Sequence, residues 1–590
     1  MGNVQSIANV AAIQALTSPA TDVLQTLGYS SAGDGGALTY VLKASDTTSA
    51  DNGCSIIVDA SGNRWYGVFD DFILPQMAGA KADGSTDDTA AVTRAVTAAL
   101  ATGIGVKFKG FCKVTSQITV SPKSGLPSGR GTFLRLTGDH YSMSGITYTG
   151  ASECLKVASG TDGIMIDNMS CNTTSGGFLQ INGDCGGFHV DRFFMNGCAA
   201  SCWAFNFVSG TVYTGNIDNS RFWYSTGYAG GVLAIANGIN VAIRNTFISQ
   251  QTKNGDIVSI TNCKGFHVDT VQFETPTTTA VSSIPNQVYV NIHDYCFDVV
   301  IDNAYFEGNV VRGIVVGGAT RTCRIRAPFS LNAAPYSVLV DAPGPNNTAL
   351  SVEGLVYASS ATAGPATISS CTHSGTTATV VTATAHNLLS GLPIVRAGAD
   401  VAAFNGSFTA TVVNSTTFTY TMASTPASDP AVPGAYDVPV VNDPNNLCTL
   451  SGYANNATTG PQTSRVSKLN PETQEASGKI LTAVVSSGSA ISVGLQLPSL
   501  FGRYNLVVGI QTGDNNHGIM TEWRVGWNAG HSFNITNCQQ VGTTQSWGTV
   551  PPTSPGLSVS SGGLVSIGAT SATSQTYNVF WYWKKTAALN

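Results

Sequence analysis

A sequence pattern that recurs about every 25 residues between positions 160 and 330 constrains the fold more than any other feature of the chain. In each unit an aliphatic residue stands at the centre of a strand-like run, and most units contain a second such run. These central residues are Ile166, Val190, Ile217, Ile243, Val268, Ile301 and Ile325. Units of this length bury a core only against their neighbours, and these contain strands and turns but no helical stretch. The pattern therefore predicts a parallel β-helix, with a β-sandwich of regular turns as the alternative.

Polar residues recur at fixed places beside the central aliphatic residue. Asparagines follow it by two positions, and we expect their stacked amides to hydrogen-bond from coil to coil; they are Asn168, Asn219, Asn245 and Asn303. Aspartates follow it by one position and predict a hydrated outer face with local ion pairs; they are Asp167, Asp191, Asp218, Asp269 and Asp302, interrupted by Arg244 and Arg326. Two histidines, His189 and His267, precede it and are interpreted as surface residues.

The stretch GAKADGSTDDTAAVTRAVTAAL, at 79–100, combines several carboxylates with an alanine-rich run. Ser85 and Thr86 are good N-cap residues, and Asp87 and Asp88 would then lie in the first turn, where the helix dipole favours negative charge. The sequence therefore predicts a helix over 86–100, with an apolar face formed by Val92, Ala95, Val96, Ala99 and Leu100. Since the first coil of a β-helix has unpaired backbone groups, we expect this helix to cover it.

The composition fits many short strands and limits the class of function. The chain has 590 residues, is 43% hydrophobic and 11% charged, and has a formal net charge of -6. Such a balance offers no basic surface for nucleic acid. No signal-peptide pattern and no apolar membrane span are seen, so we expect cytoplasmic synthesis and no membrane insertion. The 13 cysteines show no metal-binding spacing, so we expect reduced, buried thiols, no metal site and no cofactor.

Two stretches carry a resemblance to a known family. The segment at 79–100, with GVKFKGFCKVTS at 105–116, resembles the entry motif of the pectate-lyase-like superfamily of right-handed β-helices, although Met77-Ala78-Gly79 replaces the usual Phe-Gly before Ala. Upstream, GYSSAGDGGALTYVL and DNGCSIIVDASGNRWY resemble the small N-terminal segment of bacteriophage tailspikes. The resemblance covers residues 1–365.

This resemblance implies an all-β tailspike depolymerase, a homotrimer that belongs to the virion tail and cleaves bacterial capsule or O-antigen polysaccharide at the host cell surface. We expect residues 1–70 to attach the protein to other tail proteins and residues 71–365 to form the right-handed parallel β-helix. Residues 366–441 are similar to a small β-module of phage tail proteins. Residues 442–590 alternate apolar and polar residues, which predicts a C-terminal β-sandwich for trimerisation or sugar binding.

One column of the repeat, six positions after the central aliphatic residue, predicts the active site. It contains Asn172, Asn196, Trp223, Ser249, Glu274, Glu307 and Leu331. Glu274 and Glu307 would lie on adjacent coils, and neighbouring strands are about 4.8 Å apart. Carboxylates roughly 5 Å apart suit a retaining glycosidase, in which one is the acid and the other the nucleophile. The alternative is a pair of solvated glutamates at a turn.

Further residues near this column are candidates for binding the substrate. Trp223, Tyr224 and Asn196 could contact sugar rings, with core packing as the alternative for one of the two aromatic residues. Asp256, Asp302 and Arg312 are possible catalytic or substrate-binding residues. The insertion TPTTTAVSSIP at 275–285 follows Glu274 directly and is expected to form a loop beside it.

Two other functions remain open from the sequence. A polysaccharide lyase on the same fold would use a base and a uronic acid substrate, with His293, Tyr295 and Arg312 as candidates. A non-catalytic receptor-binding fibre would bind the host without cleaving any polymer.

Overall fold

The computed structural model describes residues 4–120, 133–332, 338–343, 348–359, 366–439 and 441–442, and further strands between 448 and 587. The chain forms two compact units. The first consists of Met1–Thr279 and Asn286–Tyr305, and the second of Ala280–Pro285 and Phe306–Asn590.

The N-terminal domain is a five-stranded sheet with one short helix, Val10–Gln14. In chain order its strands are Val4–Ile7, Val23–Thr26, Thr39–Leu42, Ile56–Val58 and Arg64–Val68. The first two strands pair in parallel and the others antiparallel. Trp65 and Tyr40 are fully buried in its core, where Trp65 Nε1 donates a hydrogen bond of 3.0 Å to Asp59.

Three long parallel sheets follow and form the β-helix of the first unit. Sheet 1 contains Phe72–Ile73, Gly105–Phe108, Phe133–Gly138, Gly163–Asp167, Phe188–Asp191, Gly215–Asp218, Gly238–Arg244, Cys263–Asp269 and Phe297–Asp302. Sheet 2 contains Asp83–Asp87, Phe111–Val114, Gly145–Tyr148, Ser170–Thr173, Phe194–Asn196, Arg221–Trp223, Phe247–Ile248 and Gln272–Thr275. Sheet 3 contains Ile118–Val120, Glu153–Val157, Gly177–Asn182, Trp203–Ser209, Gly231–Ile235, Asp256–Ile260 and Val288–Ile292.

The central aliphatic residues of the repeat point into the core, as predicted. Each is at most 1% exposed, and in the first unit they lie in register on neighbouring strands of sheet 1. Those of the first unit, from Ile166 to Ile301, pair in register from coil to coil, so that its coils share a continuous apolar core. The parallel β-helix is therefore confirmed, and the β-sandwich alternative for the repeat is excluded.

The repeated asparagines have a different role from the predicted amide ladder. They occupy the turn between sheets 1 and 2 in the left-handed region, with φ of 53° at Asn168, 49° at Asn219, 48° at Asn245 and 51° at Asn303. Asparagine tolerates this conformation better than most residues. The amides of Asn219 and Asn303 donate to Asp191 and Asp269. The backbone conformation of the turn thus explains why asparagine recurs there.

The aspartate column forms the outer edge of sheet 1, as predicted. Arg192 lies 2.7 Å from Asp167 and 3.2 Å from Asp191, and Arg244 lies 3.7 Å from Asp218. Both histidines of the neighbouring column are exposed. This face is accessible to solvent and has local ion pairs.

The cap helix runs over Thr89–Thr102, three residues later at its start than predicted. Asp88 is its N-cap, but the carboxylate accepts hydrogen bonds from the backbone N–H groups of Lys81 and Ala82 at 2.8 and 2.9 Å. Asp87 accepts from Thr89, so the carboxylates shape the loop before the helix instead of its first turn. The apolar face packs on the first strands of the three sheets, which confirms its covering role.

The second unit continues the same type of coil. Beyond Tyr305–Gly308, its parallel strands are Arg312–Val316, Arg321–Arg326, Phe329–Asn332, Val338–Asp341, Thr348–Glu353, Val356–Ser359, Val441–Asn442, Cys448–Ser451 and Ala454–Asn455. Because the last three pair with strands that precede residue 360, the β-helix continues past the predicted end at 365.

The β-module therefore lies between two segments of the β-helix. One of its sheets contains Ile368–Ser374, Thr377–Thr382, Thr417–Thr421 and Thr411–Asn414, and the other Gly406–Thr409, Pro393–Ala399 and Pro433–Asp437. Short 3-10 turns occur at Pro75–Ala78, Val281–Ser283 and Ala402–Phe404.

The C-terminal part contains two antiparallel sheets. The larger consists of Glu475–Leu481, Tyr577–Ala587, Arg503–Thr512, Gly518–Asn528, Ser532–Phe533 and Gln539–Trp547. The smaller consists of Ala490–Gln496, Leu564–Thr570 and Thr553–Val559. The predicted β-sandwich, with a role in trimerisation or sugar binding, stays a prediction.

The cysteines within the described part of the chain are free and buried, as expected. In that part no helix is long and apolar enough to cross a membrane.

Candidate functional site

The outward column predicted to form the active site lies on sheet 2. Asn172, Asn196 and Trp223 are direct partners on neighbouring strands. The pairings of Phe222 with Ile248 and of Ile248 with Phe273 continue the register to the next two coils. Ser249 and Glu274 therefore follow Trp223 in the same column.

Glu274 is half-buried, and its carboxylate is held by two donors from the preceding coil. The hydroxyl of Ser249 donates to Oε2, and Nε2 of Gln250 donates to Oε1 across 3.2 Å. Ser249 is itself 1% exposed, so this donor is fixed in place. The two hydrogen bonds orient the carboxylate of Glu274 on the surface of the sheet.

Two of the other acidic candidates, Glu307 and Asp302, belong to other strands. Glu307 belongs to the strand Tyr305–Gly308 and to the second unit, so its pairing with Glu274 stays a prediction. Asp302 ends a strand of sheet 1 and lies opposite Asp269 in the aspartate column. Asp302 and Glu274 are therefore on different sheets.

Trp223 lies in an array of aromatic rings around Arg221. The guanidinium carbon of Arg221 lies 5.8 Å from the ring centroid of Phe194, 5.0 Å from that of Trp223 and 5.2 Å from that of Phe247. The rings of Phe194 and Trp223 are stacked, with centroids 6.5 Å apart. All three rings are half-buried, and Arg221 is exposed. An outward face of this kind can contact sugar rings.

The other two residues predicted to bind substrate border this array. Tyr224 is half-buried, and a Cβ atom at Gly197 would lie 3.5 Å from its ring. The Oδ1 atom of Asn196 is buried and has no hydrogen-bond partner within the described ranges. An acceptor without a donor is costly inside a protein.

A second polar cluster lies on the outward face of sheet 3. The Asp256 carboxylate accepts two hydrogen bonds of 3.0 Å from the amide of Asn291, and its Oδ2 atom lies 3.1 Å from Nε2 of His293. The Ser259 hydroxyl lies 3.0 Å from the same nitrogen. These four residues come from two neighbouring strands and the turn that follows.

The two titratable groups of this cluster stabilise each other's charge. The hydrogen bond to Asp256 raises the pKa of His293 above its ordinary value, against the opposite effect of burial. Burial acts to raise the pKa of Asp256, but hydrogen bonds from His293 and Asn291 hold it below its ordinary value.

Lys253 and Trp203, beside this cluster, were not predicted from the sequence. Lys253 is 9% exposed, donates a hydrogen bond of 2.7 Å to the carbonyl of Ala200, and lies 5.0 Å from the centroid of Trp203. Burial lowers the pKa of Lys253. Lys253 comes from a turn whose length varies between units, so the repeat gives no signal for it.

Arg312, in the second unit, forms contacts typical of a structural residue. It donates hydrogen bonds to the carbonyls of Pro285 and Gly391 at 3.1 and 3.0 Å and lies 3.7 Å from Asp341. Ile284 of the predicted loop is 1% exposed and belongs to the core of the β-module. Arg312 thus joins this loop, the module and the β-helix strands of the second unit.

Comparison with known proteins identifies the N-terminal domain. Residues 6–70 match the family model described as the phage tail protein small four-stranded beta-sheet domain. This segment is therefore similar to a phage tail domain, and the name phage tail domain is used for it below. In this chain the domain has an additional strand, because its sheet is five-stranded. Among curated protein sequences, none matches the chain.

Several solved structures can be aligned with most of the chain. The tailspike protein of Acinetobacter phage vB_ApiP_P1 has a TM-score of 0.41 and 14% identity, covering 98% of each chain. The enzymatically active domain of tailspike protein 2 of bacteriophage CBA120 has a TM-score of 0.47 and 12% identity, covering 98% of this chain and 89% of that one. Tailspike gp49 of Acinetobacter baumannii bacteriophage Fri1, described as a capsular polysaccharide depolymerase, has a TM-score of 0.31 and 11% identity, covering 98% of each chain.

Proposed function

We propose that the protein is a bacteriophage tailspike that binds bacterial surface polysaccharide, capsule or O-antigen, and cleaves it by endo-glycosidic hydrolysis. The observation that carries this proposal is the oriented carboxylate of Glu274 in the same outward column as Trp223. A phage tail domain in the same chain as a parallel β-helix supports a place in the virion tail. We further propose that the working form is a homotrimer, in keeping with the resemblance to tailspikes.

In the proposed reaction Glu274 is the nucleophile and Glu307 the acid. The acid gives its proton to the oxygen that leaves as the glycosidic bond breaks, while Glu274 attacks the anomeric carbon. Water then cleaves the glycosyl–enzyme ester, with Glu307 taking a proton from the water. Ser249 and Gln250 suit the role of Glu274, because their hydrogen bonds orient the attacking oxygen.

Trp223, Tyr224 and Asn196 would bind the polymer beside the reacting carboxylates. An aromatic face offers apolar contact to the C–H face of a sugar ring, and the amide nitrogen of Asn196 can donate a hydrogen bond to a hydroxyl group. Binding along one outward column would align a chain of sugars with the axis along which the coils stack.

A polysaccharide lyase is the second candidate, and the cluster around Asp256 favours it. A lyase removes the proton next to the carboxylate of a uronic acid, which needs a positioned base. In neutral His293, donation from Nε2 to Asp256 would make Nδ1 the basic nitrogen. Tyr295 is 62% exposed and lies two residues further along the chain.

The deciding experiment treats capsule and lipopolysaccharide from a panel of bacterial strains with the purified protein and analyses the products by mass spectrometry. Hydrolysis adds one water molecule for each bond that is cleaved. A lyase instead gives an unsaturated product that absorbs ultraviolet light and has gained no water. Host binding without released oligosaccharides would contradict both reactions and indicate a non-catalytic fibre.

A further inference from the structure

Arg221 differs from Arg192 and Arg244, two arginines on the neighbouring sheet of the same β-helix. Arg192 and Arg244 pair with carboxylates of the aspartate column. The guanidinium group of Arg221 has no hydrogen bond and no ion pair within the described residues. Its neighbours are instead the rings of Phe194, Trp223 and Phe247.

The three rings keep this cation in place. Phe194, Arg221 and Phe247 are direct partners on neighbouring strands of sheet 2, and Trp223 is two residues from Arg221 on the same outward face. A guanidinium group near the faces of aromatic rings is attracted by their π electrons. Because its position is fixed before binding, little side-chain entropy remains to be lost when an anion arrives.

A planar guanidinium group with unsatisfied donors is suited to bidentate binding of a carboxylate or a phosphate. The protein has a formal net charge of -6 and a row of aspartates on the neighbouring sheet. An anionic polymer would therefore be repelled by much of the surface, and its recognition would require a cation at a defined place.

We propose that Arg221 binds the anionic group of a charged sugar, a carboxylate or a phosphate, and that the substrate is accordingly an anionic polysaccharide. This inference rests on the proposed function and adds its substrate class. The coil of Glu274 is two coils from that of Arg221, about 10 Å at the usual strand spacing. The anionic group would therefore lie outside the ring that reacts at Glu274.

The test measures binding of the full-length protein to immobilised capsular polysaccharides by biolayer interferometry, in the Glu274→Gln background to prevent cleavage. The panel contains anionic and neutral polymers of known composition. Arg221→Gln should raise Kd for an anionic polymer about ten- to a hundredfold, the range for loss of a hydrogen bond to a charged group. Arg244→Gln is the matched control, because it removes the same charge from the neighbouring sheet and should leave Kd unchanged.

Two treatments of the polymer identify the anion. Reduction of its carboxyl groups, or removal of its phosphates, should weaken binding by a similar factor and abolish the difference between Arg221→Gln and the parent. Arg221→Lys keeps the charge without the planar donors and should give an intermediate Kd. Equal thermal unfolding midpoints for all variants would establish that the array still folds.

The outcomes separate this inference from the proposed function. Cleavage of a neutral polymer, or an unchanged Kd for Arg221→Gln, would overturn the inference and leave the hydrolase in place. Tight binding of an anionic polymer through Arg221, with no cleavage by the protein carrying Glu274, would support the inference and contradict the hydrolase. Binding to no polysaccharide of the panel would contradict both.

Discussion

Ser249 donates a hydrogen bond from its hydroxyl group to the carboxylate of Glu274, on the next coil of the same outward column. Ser249 is buried, whereas Glu274 is accessible from the surface of sheet 2. A covered residue of the outward column thus positions the accessible carboxylate beside it. This relationship makes Glu274 the best-supported candidate for chemistry on this face.

Replacing either proposed catalytic glutamate by glutamine should abolish most of the activity without unfolding the protein. Glutamine is nearly isosteric with glutamate, whereas a positioned proton-transfer group contributes about 10²–10⁴-fold to rate. Glu274→Gln and Glu307→Gln should each lower kcat by at least about 100-fold, measured as reducing ends released from the polymer. The control is Asp191→Asn, which changes an acid of the ion-paired column on sheet 1.

Near-native turnover in both glutamine variants would mean that the chemistry occurs elsewhere, with the cluster of Asp256 and His293 as the next candidate. Ser249→Ala offers a finer test of positioning. It should lower kcat while leaving KM nearly unchanged, because the hydroxyl group orients Glu274 and does not contact the polymer in the proposed arrangement.

The pair of Asp256 and His293 predicts a pH-dependent stability. The pKa of His293 is raised in the folded state. Its contribution to the free energy of unfolding is therefore complete below about pH 6.5 and is lost as the pH rises through the folded-state pKa. The pKa of Asp256 is lowered in the folded state. Its contribution to the free energy of unfolding is therefore present above about pH 4 and is lost as the pH falls through the folded-state pKa of Asp256. The pair therefore stabilises the fold most between about pH 4 and pH 6.5.

Asp256→Asn should remove this stabilisation. The difference in Tm between the parent and the variant should be largest in that window and decrease above it. The loss in the free energy of unfolding should stay below about 1 kcal/mol, because the His293 side chain is 42% exposed and solvent screens the pair. A Tm difference that does not change from pH 5 to pH 9 would contradict the ion pair.

The sequence predicted the inward and outward columns because burial imposes the same residue type at the same place in every coil. Ile217 and Ile243 are in register for that reason. The array around Arg221 has a comparable signal in the sequence. Phe194, Arg221 and Phe247 each stand four positions after the central aliphatic residue of their unit.

Other features of the structure could not be predicted from the sequence. Asp256 and His293 are 37 residues apart, and their contact depends on the length of the turn between two strands. The continuation of the β-helix after the β-module has no signal either, because Val441–Asn442 is too short to show a repeat. Backbone conformation, and not amide stacking, selects Asn219 in its turn.

A charge placed in the stacked core should prevent folding, and the same charge one residue away should not. Val268 is fully buried, whereas the adjacent His267 is exposed on the opposite face of the strand. An unpaired buried carboxylate costs several kcal/mol, so Val268→Asp should yield insoluble protein. His267→Asp should be soluble, with a near-native Tm. Soluble, cooperatively unfolding Val268→Asp would contradict the inward assignment of this column.

The loop before the cap helix depends on one buried carboxylate. Asp88 is 3% exposed and accepts hydrogen bonds from two backbone N–H groups, at Lys81 and Ala82. Asp88→Ala should destabilise the fold by at least about 2 kcal/mol, because both donors lose their acceptor. Asp87→Ala is the control, since Asp87 is exposed and water can replace its carboxylate. Equal losses of thermal stability in the two variants would mean that burial of Asp88 is not the cause.

Removal of the phage tail domain should separate attachment to the virion from cleavage of the polymer. A variant that lacks residues 1–70 keeps all three sheets of the β-helix and the cap helix, so its specific activity should be near native. Its Tm should fall, because Tyr29 of the domain covers the backbone of Gly79, where a Cβ atom would lie 2.6 Å from the tyrosine ring. The guanidinium carbon of Arg94, on the cap helix, lies 5.7 Å from the centroid of the same ring.

Tyr29→Ala in the full-length chain separates the two effects of this deletion. It should reproduce part of the fall in Tm, because loss of a half-buried aromatic side chain lowers the free energy of unfolding by about 1–3 kcal/mol. It should leave incorporation into virions intact. Phage particles produced with the deletion variant should contain no tailspike, which immunoblotting of purified virions would measure. If the deletion variant neither folds nor cleaves polymer, the domain is part of the β-helix fold and the boundary at residue 70 is wrong.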